Sequence, residues 1–105
     1  MRISVTFRHT EPTQALKEYA QTKVGKIKKY LDEPVEADVT LKVEKFRHIA
    51  EVLVRADGTT FNGGESSEDM YSSIDLVVDK MERQIKKHKT KARSKAQHAR
   101  NAAQT

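Results

Sequence analysis

Residues 37–64 read ADVTLKVEKFRHIAEVLVRADGTTFNGG, and the period within that stretch decides the fold. Ala37, Val39, Leu41 and Val43 alternate with Asp38, Thr40, Lys42 and Glu44, the two-residue repeat of a strand that buries one face. A further run, about Ile49–Ala56, puts Val52, Val54 and Ala56 on a common face. Asp57-Gly58 comes next and is the strongest short hairpin signal in the chain, because a type I′ turn needs positive φ at both central residues. It leads into a strand expected over Thr59–Gly63, with Gly63-Gly64 ending it.

Working outward, Met1, Ile3, Val5 and Phe7 alternate with Arg2, Ser4, Thr6 and Arg8, which predicts a first strand. The period then changes. Leu16, Ala20, Val24, Ile27 and Leu31 are spaced by four, four, three and four and share one helical stripe. Thr13 is the expected N-cap and Pro34 marks the limit at the far end. Lys17, Lys23, Lys26, Lys28 and Lys29 lie mostly off the stripe, so this helix has a basic outer side. Beyond the strands, Ser66-Ser67-Glu68-Asp69 opens a last helix, with Ser66 and Asp69 spaced as in a capping box. Met70, Ile74, Val77, Val78, Met81 and Ile85 form its apolar stripe.

The order is β-α-β-β-β-α, and two amphipathic helices can cover one face of a four-stranded sheet. The expected fold class is α+β, a two-layer sandwich with both helices packed on one face of the sheet. The other face carries Arg2, Ser4, Thr6, Asp38, Thr40, Lys42 and Glu44, a mixed set suited to solvent. After Ile85 no large apolar residue follows, so residues 86–100 should project as a solvated helical extension or fray. Ala92, Ala96, Ala99, Ala102 and Ala103 keep helix propensity available there. The expected organisation is an α+β domain over 1–91 and a basic, Ala/Gln-rich, flexible tail over 92–105.

The charge is distributed unevenly. Of 20 basic and 15 acidic residues, nine cations and one acid, Glu82, lie from Lys80 onward. The body is therefore about −3 and the tail +8, within a net charge of +5. A body of that kind with a cationic extension is built to meet a polyanion, and nucleic acid is the first candidate. The 105 residues fit one domain, and there is no cysteine to supply a disulfide, thiol nucleophile or thiolate metal site. No apolar run approaches the roughly 20 residues needed to cross a bilayer, and the alternating N-terminus is unlike a signal peptide. A soluble cytoplasmic protein is expected.

On a helix, Lys80, Arg83, Lys87 and Lys91 recur at three- and four-residue steps and line one edge. Placed beside the basic side of the first helix, this edge would make a continuous cationic surface. Ion pairing at i,i+4 does not explain the run, since acids are nearly missing from it. If eight of those charges engage phosphates, affinity should fall by roughly 10³–10⁵ between about 50 and 200 mM salt. His9, His48, His88 and His98 show no zinc-ligand spacing, and no metal is expected. Asn62-Gly63-Gly64-Glu65-Ser66 lacks the phosphate-loop pattern and reads as a strand-to-helix connection. Ser66, Ser67, Ser72 and Ser73 have no histidine nearby in sequence to activate them, so no catalytic residue, cofactor or small-molecule substrate is assigned. The aromatics Phe7, Tyr19, Tyr30, Phe46, Phe61 and Tyr71 fall mostly at core positions and the tail has none. Binding by shape and phosphate contact is therefore expected over base readout.

The segments Leu41-Lys42-Val43-Glu44-Lys45, Asp69-Met70-Tyr71-Ser72-Ser73-Ile74-Asp75 and Asp79-Lys80-Met81-Glu82-Arg83-Gln84, followed by Lys87-His88-Lys89, resemble the bacterial ribosome hibernation-promoting factor family. The ribosome-associated inhibitor belongs to the same family. With the Thr13 to Tyr19 stretch, the resemblance covers about residues 1–91, and the length matches the short form. It implies a fold seated on the small ribosomal subunit, in the channel used by messenger RNA and tRNA. Translation would stop there by steric exclusion in stationary phase, with inactive, dimerised ribosomes promoted together with a separate modulation factor. By matching position it implies rRNA-facing roles for Lys23, Lys26, Lys80, Arg83, Lys87, Lys89 and Lys91, with Lys42, Lys45 and Lys86 as further candidates. The chain itself is expected to be a monomer off the ribosome and not an enzyme. Two rivals are a general double-stranded RNA or DNA binder and a regulatory protein-interaction module. The basic tail after Lys91, in place of the acidic one of many inhibitor-like members, favours the hibernation-promoting side.

Overall fold

The structure, a computed structural model, describes residues 1–104, with side chains described for residues 1–89. In chain order it consists of β1 (Arg2–Arg8), α1 (Gln14–Gly25), a 3₁₀ turn (Lys26–Tyr30), β2 (Glu36–Glu44), β3 (Arg47–Ala56), β4 (Thr59–Ser67) and α2 (Met70–Gln104). The four strands lie in the order β1-β2-β3-β4. β1 and β2 are parallel, with Ile3 opposite Ala37 and Val5 opposite Val39. The remaining pairs are antiparallel. Parallel neighbours cannot be joined by a tight turn, and α1 supplies the crossover.

The alternation seen in the sequence becomes the two faces of this sheet. Ala37, Val39, Leu41, Ala50, Val52 and Val54 are buried and meet Val24, Ile27, Ile74, Val77, Met81 and Ile85 from the helical layer. Full burial of an aliphatic side chain is worth about 1.5–3 kcal/mol, so this single cluster carries the fold. On the other face, Arg2, Ser4 and Thr6 are exposed and Asp38, Thr40 and Lys42 half-buried. There Ser4 Oγ donates to Asp38 Oδ1 at 2.8 Å and Arg55 Nη2 donates to Asp38 Oδ2 at 3.0 Å. These contacts hold the Asp38 carboxyl below its ordinary range, the Ser4 hydrogen bond contributing most.

Several boundaries differ from the sequence reading. Thr13 does cap α1, its hydroxyl accepting from the Leu16 amide at 3.2 Å. The helix tightens at Lys26, whose amide is shared between the Lys23 and Val24 carbonyls. Ile27 and Leu31 stay buried through that tighter turn. β4 does not stop at Gly63-Gly64, and residues 62–66 are strand, not connection: the ladder to β3 runs on to Ser67, opposite His48. Gly63 serves packing instead of termination. A Cβ there would stand 3.1 Å from Met81 Sδ, so the missing side chain lets α2 lie close on the strand.

The cap of α2 is Asp69 and not Ser66, which is part of β4. Asp69 Oδ2 accepts from the Ser72 amide at 3.0 Å and from its hydroxyl at 3.2 Å. Ser73 is fully buried, its hydroxyl donating to the His48 carbonyl at 2.6 Å and pairing with Ser67 Oγ at 2.7 Å. The start of α2 is thereby tied to the start of β3. Both hairpins turn on two residues with positive φ. Asp57 (φ 55°) and Gly58 (φ 68°) make the expected one. Lys45 (φ 47°) and Phe46 (φ 68°) make the other, although neither is a residue that favours this backbone. For residues bearing a Cβ, left-handed geometry costs about 1–2 kcal/mol each.

Candidate nucleic-acid interface

α1 and α2 lie side by side, and their seam is made of specific contacts. The Tyr19 and Tyr71 rings meet edge to face at 4.9 Å. The Tyr19 hydroxyl donates to Asp75 Oδ1 at 2.6 Å, and Lys23 Nζ sits 3.3 Å from the same oxygen. One turn further, the Tyr30 hydroxyl donates to Glu82 at 3.3 Å, and Lys86 Nζ lies 5.1 Å from the Tyr30 ring centre. Asp75 titrates below the ordinary aspartate range, chiefly because of the Tyr19 hydrogen bond and then because of Lys23. The same bond pushes Tyr19 up, and Asp75 raises Lys23. At neutral pH the pair is fully ionised and cancels.

A groove of about 300 Å³ between the helices is lined by Lys23, Lys26, Asp75, Val78, Asp79 and Glu82. Three acids therefore interrupt the cations along the seam. The uninterrupted cationic surface expected from two adjacent basic helices is absent here, because holding the helices together uses carboxylates on α2 to bind α1.

The sequence-derived candidates divide by what their side chains touch. Lys23 is bound to Asp75. Lys80 turns toward the sheet edge, donating to the Gly64 carbonyl at 3.3 Å and pairing with Glu65 at 3.4 Å. Gln84 does the same at the Asn62 carbonyl, 3.1 Å away, so two α2 side chains cover the open edge of β4. Lys42 is shared between Glu44 at 3.6 Å and Glu51 at 3.5 Å. By contrast Lys26, Arg83, Lys86 and Lys87 are exposed, and Lys89 half-buried. Among the described residues none of these five takes part in an ion pair. The side chain of Lys91, and the reading of 92–105 as a flexible tail, lie outside the described side chains.

Lys45 is exposed at the β2–β3 turn beside Phe46, which is 93% exposed. Phe46 is an exception to the expectation that the aromatics belong mostly to the core, which Phe61, buried, and Phe7, Tyr19 and Tyr30, packed against the core, follow. The register leaves Lys45-Phe46 between the paired Glu44 and Arg47 as a two-residue loop. With no Asn, Asp or Gly in it, the turn carried no usual signal. Tyr71, 39% exposed, is partly covered by Tyr19. Among the described residues no three His, Asp or Glu side chains are grouped to hold a metal ion. Nor is any helix there long and apolar enough to cross a membrane.

Residues 3–93 match the family model described as "Sigma 54 modulation protein / S30EA ribosomal protein". The chain belongs to this family. Within the S30EA family it is 35% identical over 91 residues to the ribosome hibernation promoting factor of Salmonella typhimurium, covering 87% of this chain and 96% of that protein. The protein of the same name from Pseudomonas putida is 34% identical over 99 residues, covering 94% and 97%. Among solved structures, the N-terminal domain of Protein Y from Thermus thermophilus superposes with a TM-score of 0.78 at 30% identity. That match covers 84% of this chain and 99% of the domain. The S30EA fold thus accounts for the strand order and for both helices on one face.

Proposed function

We propose that this protein is a ribosome hibernation factor that acts in the cytoplasm by occupying the small ribosomal subunit. On this reading it sits in the channel that messenger RNA and tRNA use and inhibits translation by taking up that space. It would thereby promote or stabilise inactive, dimerised ribosomes in stationary phase. The observation that carries the reading is the set of exposed cations on the helical layer, Lys26, Arg83, Lys86 and Lys87, left without carboxylate partners among the described residues. On a chain similar over nearly its whole length to proteins named ribosome hibernation promoting factor, those cations are free to neutralise rRNA phosphates. Lys23, Lys80 and Lys42 contribute differently: ion pairs hold Lys23 and Lys80 at the helical layer and the β4 edge, and Lys42 on the opposite face of the sheet. Lys89, Lys91 and Lys45 complete the set.

The action is non-catalytic on this reading. Ser73, whose hydroxyl meets that of Ser67 at 2.7 Å, is fully buried and donates its proton to the His48 carbonyl. Off the ribosome the chain is a monomer, and on it a modulation factor is a candidate partner. Co-sedimentation with vacant small subunits tests the proposal. Wild-type protein should pellet with the subunits and compete with tRNA. The double variant Lys26→Glu, Lys87→Glu should lose at least tenfold in affinity while melting within a few degrees of wild type. Equal affinity for free duplex RNA and for subunits would instead identify a general nucleic-acid binder. Capture of a protein partner after nuclease treatment would point to the sigma-factor side of the family description.

A further inference from the structure

The two hairpins of this sheet use the same turn geometry with opposite choices of residue. At one, Asp57-Gly58 fits the left-handed backbone. At the other, Lys45 (φ 47°) and Phe46 (φ 68°) adopt it against their preference. Phe46 gains nothing from the fold in return, since its ring is 93% exposed. Strain of this kind, at a residue that contributes no packing, marks a side chain kept for something outside the chain.

What surrounds the ring says what that partner is. Lys45 and Arg47 flank it, and both are exposed. Arg47 is aimed by its neighbours, Nη2 donating to the Ser66 carbonyl at 3.2 Å and to Ser66 Oγ at 3.1 Å. The surface next to the turn is hollow, with His9, Lys45 and Arg47 around the apolar side chains of Val43 and Ile49. Glu44 also lines it, its charge offset by Lys42 at 3.6 Å. An apolar pocket on a protein would ask for an apolar collar around the ring. An exposed aromatic flanked in the chain by two exposed cations suits an unpaired nucleobase, whose flat face stacks on the ring while its phosphates meet the flanking charges.

We propose that the β2–β3 turn is a base-stacking finger, in which Phe46 stacks on an unpaired nucleobase of RNA and Lys45 and Arg47 hold the adjoining phosphates. The site rests on the reading of this protein as an rRNA binder and adds to it a contact that phosphate neutralisation does not supply. It also lies at the sheet end where α2 begins, the end opposite Asp57-Gly58. RNA would accordingly be gripped at two separated places.

The test uses full-length protein, vacant small ribosomal subunits and a single-stranded oligoadenylate. Phe46→Ala should weaken subunit binding by roughly five- to a hundredfold, the range expected for one lost base stack. Phe46→Trp should bind within about twofold of wild type, and because the chain has no tryptophan, its emission reports on this position alone. That emission should be quenched by oligoadenylate at low salt, where indole stacks on adenine. Lys45→Asn with Phe46→Gly should raise Tm, by relieving the turn, and yet bind more weakly than Phe46→Ala, since it loses the Lys45 charge as well as the ring. Binding of Phe46→Leu at wild-type strength would overturn the proposal in favour of an apolar pocket on a ribosomal protein. Unchanged affinity of Phe46→Ala, or unquenched indole emission with oligoadenylate, would overturn it outright. Failure of wild-type protein to bind subunits, with quenching intact, would instead remove the ribosomal reading and leave the stacking site standing.

Discussion

Asp75 gathers Tyr19 and Lys23 of α1 onto a single oxygen, which makes it the residue on which the helix pair turns. Because its folded-state carboxyl titrates below its unfolded value, protons bind the unfolded chain first as pH drops. The stability it confers is complete above about pH 5 and is lost as pH falls through the lowered value, below roughly pH 4. Asp38, lowered by Ser4 and Arg55, adds to the same acid limb. Asp75→Asn should therefore lower Tm by a few degrees at pH 7 and show a shallower loss between pH 5 and pH 3, read by thermal melts across that range. Ser73 makes a sharper case. Ser73→Ala removes the buried donor from the His48 carbonyl and should cost about 1–3 kcal/mol in denaturant unfolding.

At the scale of elements, β4 and α2 are fitted through one missing side chain. Gly63 faces Met81, which is itself buried, whereas a Cβ on Gly64 would meet only Glu51 Cγ at 3.5 Å and the Ala50 carbonyl at 3.9 Å. Gly63→Val should cost about 1–3 kcal/mol through overpacking. Gly64→Ala should stay within about 0.5 kcal/mol of wild type. Urea midpoints of the two variants check the contrast, and equal effects would mean that the close approach of α2 does not depend on Gly63. The same pair of elements explains two boundaries that alternation and turn chemistry misplace. A Gly-Gly pair is a fair breaker signal when only neighbours in sequence are considered. Within the sheet it continues the ladder, because β3 already offers partners as far as His48 and α2 needs the space.

For the molecule as a whole, the decisive quantity is how many cations remain free once the fold has used its share. If Lys26, Arg83, Lys86, Lys87, Lys89 and Lys91 all meet phosphates, affinity for vacant subunits should drop by roughly 10³–10⁵ between about 50 and 200 mM salt. A shallow salt dependence would mean that few of them touch RNA. The order of elements and the buried stripe from Val24 and Ile27 to Met81 and Ile85 were legible from residue types and spacing, and the family from the resemblance of particular segments such as residues 69–75. Those are local properties: periodicity records which face is buried, and turn residues record where the chain reverses. The pairing of Lys23 with Asp75 spans 52 positions, and that of Lys80 with the β4 edge spans 16. No spacing rule reports which carboxylate will neutralise which lysine at such separations, since three-dimensional proximity sets Coulomb energy. Tertiary structure alone therefore decided that the helix seam carries acids among its lysines. It likewise decided that Phe46, apolar by type, stands in water at a strained turn, because burial belongs to the assembled surface and not to the residue.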